Sequence, residues 1–201
     1  MSNIIYRYGK GIYINLTNKC PCNCSFCIRS RVQGVGSAVN LWLEAEPIAR
    51  QLIFQLDAIR LESCNEVVFC GFGEPFCALE NLLEVCAYLR GRADCLSVRV
   101  NTNGLGDLIN NKPTAPLLEG LLDVVSISLN APNREKYNEL CRPSFGERAF
   151  DAMLQFARDC KKHIPKVAFS VVDILSDEEM ASCREIAKNM DIPLRVRPYG
   201  R

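Results

Sequence analysis

Short runs of strand character alternate with longer runs of helical period along the 201 residues, and this alternation constrains the fold more than any other feature. Strands are expected over 11–17, 66–70, 96–101, 124–129, 166–172 and 194–197. Helices are expected over 44–60, 79–90, a short piece near 117–121, 148–163 and 177–190. Pro47 falls in the first turn of the first helix, where a missing N–H costs nothing, and Ser176 with Glu179 makes a capping box for the last. Such a repeat predicts an α/β fold with parallel strands and right-handed crossovers. A closed eight-unit barrel takes about 250 residues. Six units therefore predict a partial (βα)6 TIM-type barrel, open on one side, with a flat doubly wound sheet as the alternative. Nothing of linker composition interrupts the chain, so 1–201 is expected to be a single domain.

The strand faces add a second constraint. Strands buried on both sides of a parallel sheet are normally continuous apolar runs. Here several alternate: Ile12, Ile14 and Leu16 oppose Tyr13, Asn15 and Thr17; Leu96, Val98 and Val100 oppose Ser97, Arg99 and Asn101. Likewise Val125, Ile127 and Leu129 oppose Ser126, Ser128 and Asn130, and Leu194 and Val196 oppose Arg195 and Arg197. With a period of two, one face packs on helices and the other must meet something polar. A barrel lumen holding a polar ligand satisfies that, and an ordinary sheet with one solvated face is the plainer alternative.

Lys and Arg number 24 against 23 Asp and Glu, so no global field draws the chain to nucleic acid or to anionic lipid, although a local patch leaves nucleic acid open. The longest uncharged run, 32–43, is too short and too polar to span a membrane. Residues 1–11 carry neither an apolar leader core nor a cleavage site, so a cytoplasmic protein without a membrane partner is expected. Twelve cysteines in a chain of this length do not make a disulfide scaffold. Eight of them, among them Cys70, Cys77 and Cys141, are dispersed in the sequence and are expected to act as small buried hydrophobes.

The other four crowd into Cys20-Pro-Cys22-Asn-Cys24-Ser-Phe-Cys27. Cys20, Cys24 and Cys27 have CxxxCxxC spacing in the loop after the first strand, at the strand end where α/β proteins keep their sites. Three thiolates suit three irons of a cubane cluster and leave the fourth iron open. A structural zinc with Cys22 as fourth ligand is the alternative, and the crowding of Cys20, Cys22 and Cys24 makes it awkward.

That motif, followed by Gly71-Phe72-Gly73-Glu74-Pro75, Asn101-Thr102-Asn103-Gly104 and Ser128-Leu129-Asn130, each closing a strand, resembles the radical S-adenosylmethionine (SAM) enzymes over essentially the whole chain. The resemblance implies a 4Fe-4S cluster on Cys20, Cys24 and Cys27, with SAM chelating the unique iron through its amino and carboxylate groups. One electron then cleaves SAM to methionine and a 5′-deoxyadenosyl radical, which takes hydrogen from a substrate that the sequence leaves unidentified. It places Phe26 by the adenine and Gly73 and Glu74 at the methionine amino group. Ser128 and Asn130 fall near the ribose or carboxylate; Asn101 shares their inward face and Thr102 alternates outward, with either within reach of the site, and Arg197 is a carboxylate partner. Gly-Phe-Gly-Glu departs from the family's usual Gly-Gly-Glu, and Cys22 is expected to be a spectator. The compact form and the Arg-Pro-Tyr-Gly end look closest to a small subgroup associated with TatD-family nucleases; compact members such as 7-carboxy-7-deazaguanine synthase are also similar. The partners implied are an electron donor of flavodoxin or ferredoxin type and, through the subgroup, a TatD-family nuclease.

His163, at the C-terminal end of a helix where positive charge suits the dipole, is expected to be structural. The loop with Gly34 and Gly36 is expected to be a flexible lid, and Arg29, Arg31, Arg195 and Arg197 to gather at the barrel mouth around an anionic substrate. The sequence closes four residues beyond the sixth strand, which leads to the expectation that a large substrate, a second copy in a homodimer or a partner protein covers the open side. The competing class is a non-catalytic module whose Fe-S or zinc centre serves structure or partner binding.

Overall fold

The computed structural model describes residues 4–199; Gly200, part of the expected Arg-Pro-Tyr-Gly end, lies outside them. Seven strands form one unclosed sheet in chain order: β1 (Ile5–Tyr8), β2 (Gly11–Ile14), β3 (Glu66–Phe69), β4 (Val98–Thr102), β5 (Val124–Ser128), β6 (Lys166–Val172) and β7 (Leu194–Arg197). Pairings from β2 to β7 are all parallel, as the βα repeat predicts. Strand β1, which the sequence pattern does not predict, pairs antiparallel with β2. Gly9, at φ +57, occupies the first central position of the two-residue turn between them, a slot that favours glycine. The outer edge of β1 does not stand open, because Arg7 accepts from the Ser37 backbone N–H and donates its own to Ser37 Oγ, both at 2.8 Å.

The helices are α1 (Ala49–Asp57), α2 (Leu79–Arg90), α3 (Gly106–Asn110), α4 (Arg134–Cys141), α5 (Arg148–His163) and α6 (Asp177–Asn189). The first is expected from the sequence to begin at 44 but starts at 49. Pro47 disfavours helical backbone before it, and Glu46 is drawn aside to Thr17 Oγ1 and Lys19. The helix expected near 117–121 is a 3-10 turn, Ala115–Leu118. Helix α4 is not predicted because it buries only Tyr137 and Cys141 and so carries little periodic signal. The capping box on Ser176 and Glu179 is present.

Outward-facing strand residues such as Ile14, Phe69, Val100, Ile127 and Phe169 are buried under the helices. Helix α5 presents Ala149, Phe150, Met153, Phe156, Ala157 and Cys160 at helical spacing to that layer. Among the described residues no helix is long and apolar enough to cross a membrane.

Phe156 is fully buried and meets the Phe76 ring nearly edge-on at 5.4 Å. Phe156→Ala is expected to cost about 3–5 kcal/mol, seen as a lower denaturation midpoint with unchanged slope; an unchanged midpoint would contradict this packing.

Candidate cluster and cofactor site

The inward strand faces and the loops at their C-terminal ends surround one cavity of about 650 Å³. Cys20, Cys24 and Cys27 line it together with Phe26, Asn101, Ser128, Asn130 and Arg197, so the structure brings eight of the eleven expected site residues to one space. Gly73, Glu74 and Thr102 are not on its wall.

The cysteine loop is held by a distant segment. Asn23 N donates to Cys141 O at 3.1 Å, Ser25 N to Leu140 O at 2.9 Å and Ser144 N to Pro21 O at 2.8 Å, so the end of α4 forms a backbone seam with the loop. The seam carries Cys141 in beside Cys24, a neighbour that nothing in the sequence pattern announces. Thiols surrounding Cys24 donate to it: hydrogen bonds from Cys141 and Cys22 pull its pKa down to about 4. A hydrogen bond from Cys22 lowers Cys20 to about 7, whereas burial pushes Cys27 up. Cys22 and Cys141, the donors, are held well above the ordinary thiol range, with the facing sulfurs as the leading cause. Cys22, expected to be a spectator, lies between Cys20 and Cys24, with Asn103 Nδ2 3.7 Å from its sulfur.

The segment after β3 threads between close neighbours. A Cβ at Gly71 would meet Asn15 Oδ1 at 1.9 Å, and one at Gly73 would meet Thr17 O at 2.1 Å, so both positions need glycine for close approach. Phe72 fills the intervening position with a buried ring, 5.2 Å from Trp42. Glu74, expected at a methionine amino group, is buried in this structure. Its carboxylate accepts from Thr102 Oγ1 at 2.7 Å, Asn103 N at 2.7 Å and Phe76 N at 3.2 Å, behind the cavity wall. Thr102 belongs to the same buried brace, because its strand period turns it away from Asn101.

At the strand ends, Asn130 adopts left-handed backbone at φ +55, which asparagine tolerates, and its Oδ1 accepts from Arg197 Nη2 at 3.5 Å. Arg197 Nε is buried without a partner in the structure. The floor is tied by Arg99, which forms a two-pronged pair with Glu66 at 2.7 and 2.9 Å and reaches Asn101 Oδ1 at 2.9 Å. Arg31, Arg195 and Arg197 line the cavity. Arg29 does not; it stacks over Trp42 at 6.0 Å and points to the Asn18 and Cys22 carbonyls. His163 pairs with Glu119 at 2.8 Å on the outside, in keeping with a structural role. The loop of Gly34 and Gly36 lies against β1 and contributes Ile28, Val32, Val35 and Leu41 to the cavity.

The family model for the radical SAM superfamily matches residues 14–187. The chain belongs to the radical SAM superfamily. Among curated relatives it is 22% identical over 196 residues to molybdenum cofactor biosynthesis protein 1 of Drosophila melanogaster, covering 96% of this chain and 32% of that one. It is 27% identical over 149 residues to a probable dual-specificity RNA methyltransferase RlmN of Prochlorococcus marinus, covering 72% of this chain and 39% of that one. The chain thus spans well under half the length of these relatives. Among solved structures, Streptococcus suis SuiB bound to precursor peptide SuiA superposes with a TM-score of 0.70 at 19% identity, over 98% of this chain and 40% of that one. A radical SAM methyltransferase from Sphaerobacter thermophilus gives 0.68 at 17% identity, over 96% and 68%. At such identities the structures establish the shared fold, the unclosed parallel barrel.

Radical SAM proteins are enzymes whose cofactors are a 4Fe-4S cluster and SAM. The residues present fit that pair. Three thiols edge one cavity, and an unpartnered buried guanidinium N–H sits on the same wall. In a cluster each thiolate takes its own iron, and three thiols along one cavity edge suit that arrangement.

Burial raises Glu74 from 4.5 to about 8 despite its three donors. The folded protein therefore keeps this proton while the unfolded chain loses it. The associated stability is complete below about pH 4.5 and is lost as pH rises toward 8. Denaturation of the cluster-free protein across that window should show wild-type stability falling relative to Glu74→Gln; parallel profiles would contradict the buried setting.

Proposed function

We propose that this protein is a radical SAM enzyme in which Cys20, Cys24 and Cys27 hold a 4Fe-4S cluster at the rim of the cavity. Phe26, Asn101, Ser128, Asn130 and Arg197 would hold SAM beneath it. The observation that carries this reading is the meeting of those eight side chains around one space at the C-terminal ends of the parallel strands. Bound together, the cluster and SAM supply reductive cleavage to methionine and a 5′-deoxyadenosyl radical that removes hydrogen from a substrate.

The chain's own part is to bind, orient and exclude water. Arg197 would take the SAM carboxylate on its Nε–H, which is buried without a partner, while Asn130 accepts from its Nη2. Phe26 offers a ring to the adenine. The thiols of Cys22 and Cys141 donate toward the ligand sulfurs, which favours thiolate there and influences the cluster's potential. Glu74 fixes the turn of residues 73–76 to the end of β4, and so sets the wall that Gly71 and Phe72 present. A one-electron donor of flavodoxin or ferredoxin type is the protein partner this chemistry requires. Twelve unpaired thiols suit a reducing, cytoplasmic setting.

The test is whether anaerobically reconstituted, dithionite-reduced protein converts SAM to 5′-deoxyadenosine. Cys20→Ala, Cys24→Ala and Cys27→Ala should each abolish cleavage, and Cys22→Ala should retain iron and cleavage. Loss of iron in Cys22→Ala as complete as in the other three would overturn the ligand assignment. Arg197→Gln should weaken SAM binding roughly tenfold to a hundredfold, as loss of a charged hydrogen bond implies. Unchanged affinity by calorimetric titration would remove Arg197 from the SAM site.

A further inference from the structure

The two end strands of the sheet, β1 and β7, both line the cavity and do not pair with each other, and the loop that covers β1 through Ser37 also carries Arg31 to Tyr199 beyond β7. The two strands bring unlike side chains to the cavity mouth. From β1 come Tyr6 and Tyr8, packed on Tyr13 at ring distances of 5.4 and 5.6 Å. Tyr6 is buried, with its hydroxyl committed to Cys70 O at 3.0 Å, so the aromatic surface this side offers a ligand is that of Tyr8. From β7 come Arg195 and Arg197, one strand period apart on the inward face. Arg31 joins them from the loop, its guanidinium 4.5 Å above the Tyr199 ring.

Although the chain holds 23 Asp and Glu, none lines this cavity, and no Lys does. Arg99 has its carboxylate in Glu66. Arg31 and Arg195 have no salt bridge among the described residues. Two exposed arginines at the mouth of one concave space, with no carboxylate on its wall, form a positive rim that favours an anion. The guanidinium fork suits phosphate and carboxylate alike, and tyrosine surface suits a flat ring.

We propose that the substrate of this enzyme is a small anionic aromatic molecule, a planar ring bearing a phosphate or a carboxylate. It binds at the cavity mouth with its ring on Tyr8 and its anionic group on Arg195 and Arg31. The proposal rests on the radical SAM reading only in calling this ligand the substrate. Arg197 is left to SAM, so the two sites share a wall but not a side chain.

The test uses cluster-reconstituted protein saturated with SAM, titrated with phenyl phosphate, benzoate, benzamide and inorganic phosphate. At least one of phenyl phosphate and benzoate should bind tenfold or more tighter than both neutral benzamide and ring-less inorganic phosphate, and the tighter of the two names the anionic group. Arg195→Gln and Arg31→Gln should each weaken that probe about tenfold, and Arg195→Lys less. Arg134→Gln, an exposed arginine paired with Asp151 on the outer surface, should leave it unchanged. Benzamide binding as tightly as the charged probes would overturn the proposal. So would inorganic phosphate matching phenyl phosphate, the result expected if the arginines serve an acidic protein surface. So would unchanged affinity in both Gln variants, and the wild-type comparison stands even if a variant fails to fold. Iron content and SAM cleavage measured on the same samples separate this outcome from failure of the radical SAM reading.

Discussion

Every inward strand face of this sheet carries polar side chains, and the architecture depends on giving them something to bind. A parallel sheet covered by helices on both faces would bury Arg99, Asn101, Ser128, Ser170 and Arg197 against apolar layers at prohibitive cost. Curving the sheet keeps the helices on one face only and turns the polar face toward a cavity of about 650 Å³. Internal partners then satisfy part of the polar set. Arg99 takes Glu66 in a two-pronged pair, and Asn15 donates to Leu41 O at 2.6 Å. Arg197 Nε and Asn15 Oδ1 are left over among the described residues, and of the two Arg197 is on the cavity wall.

The cysteine motif is local in sequence but not in mechanics. Within the loop only short-range bonds such as Cys27 N to Cys24 O appear, and the loop's course is set by the seam with residues 140–144 more than a hundred positions away. Helix α4 carries that seam despite its polar character, because Tyr137 is buried against Phe150 at 5.6 Å and Asn133 caps its start. The same seam brings in the Cys141 thiol. One weakly amphipathic helix therefore positions the ligands and also supplies a hydrogen bond that favours thiolate at Cys24.

What can be read from the sequence follows the same division. Strand alternation has a period of two and a strong apolar contrast, so the inward placement of Asn101, Ser128, Asn130 and Arg197 is legible in the order of residues alone. The cysteine spacing and its place after a strand are legible for the same reason, being local. Glu74 is not: a motif position cannot say whether a carboxylate faces a ligand or is enclosed by Thr102 and two backbone N–H groups, since that depends on where β4 ends. Strand β1 leaves no clear pattern because its four residues mix Tyr and Arg and only its pairing with β2 defines it. Cys141 looks like any other dispersed thiol, because proximity to Cys24 arises from the seam and has no local trace.

A net charge of +1 conceals how the charges are sorted. Outside, cations are matched with carboxylates: Arg134 with Asp151, Lys136 with Glu179, Arg90 with Asp123 and Arg92 with Asp94. Pairs this exposed contribute little individually, but they cancel the field around the body of the protein. Inside, Glu74 stands behind the wall with its charge disfavoured by burial, while the arginines of β7 face the cavity. The uncompensated positive charge then acts where low-dielectric walls focus it, at the cavity mouth. Balance across the whole chain and strong polarity within the site are therefore compatible, and the polarity is set by strand period and by the absence of carboxylates from one concave surface.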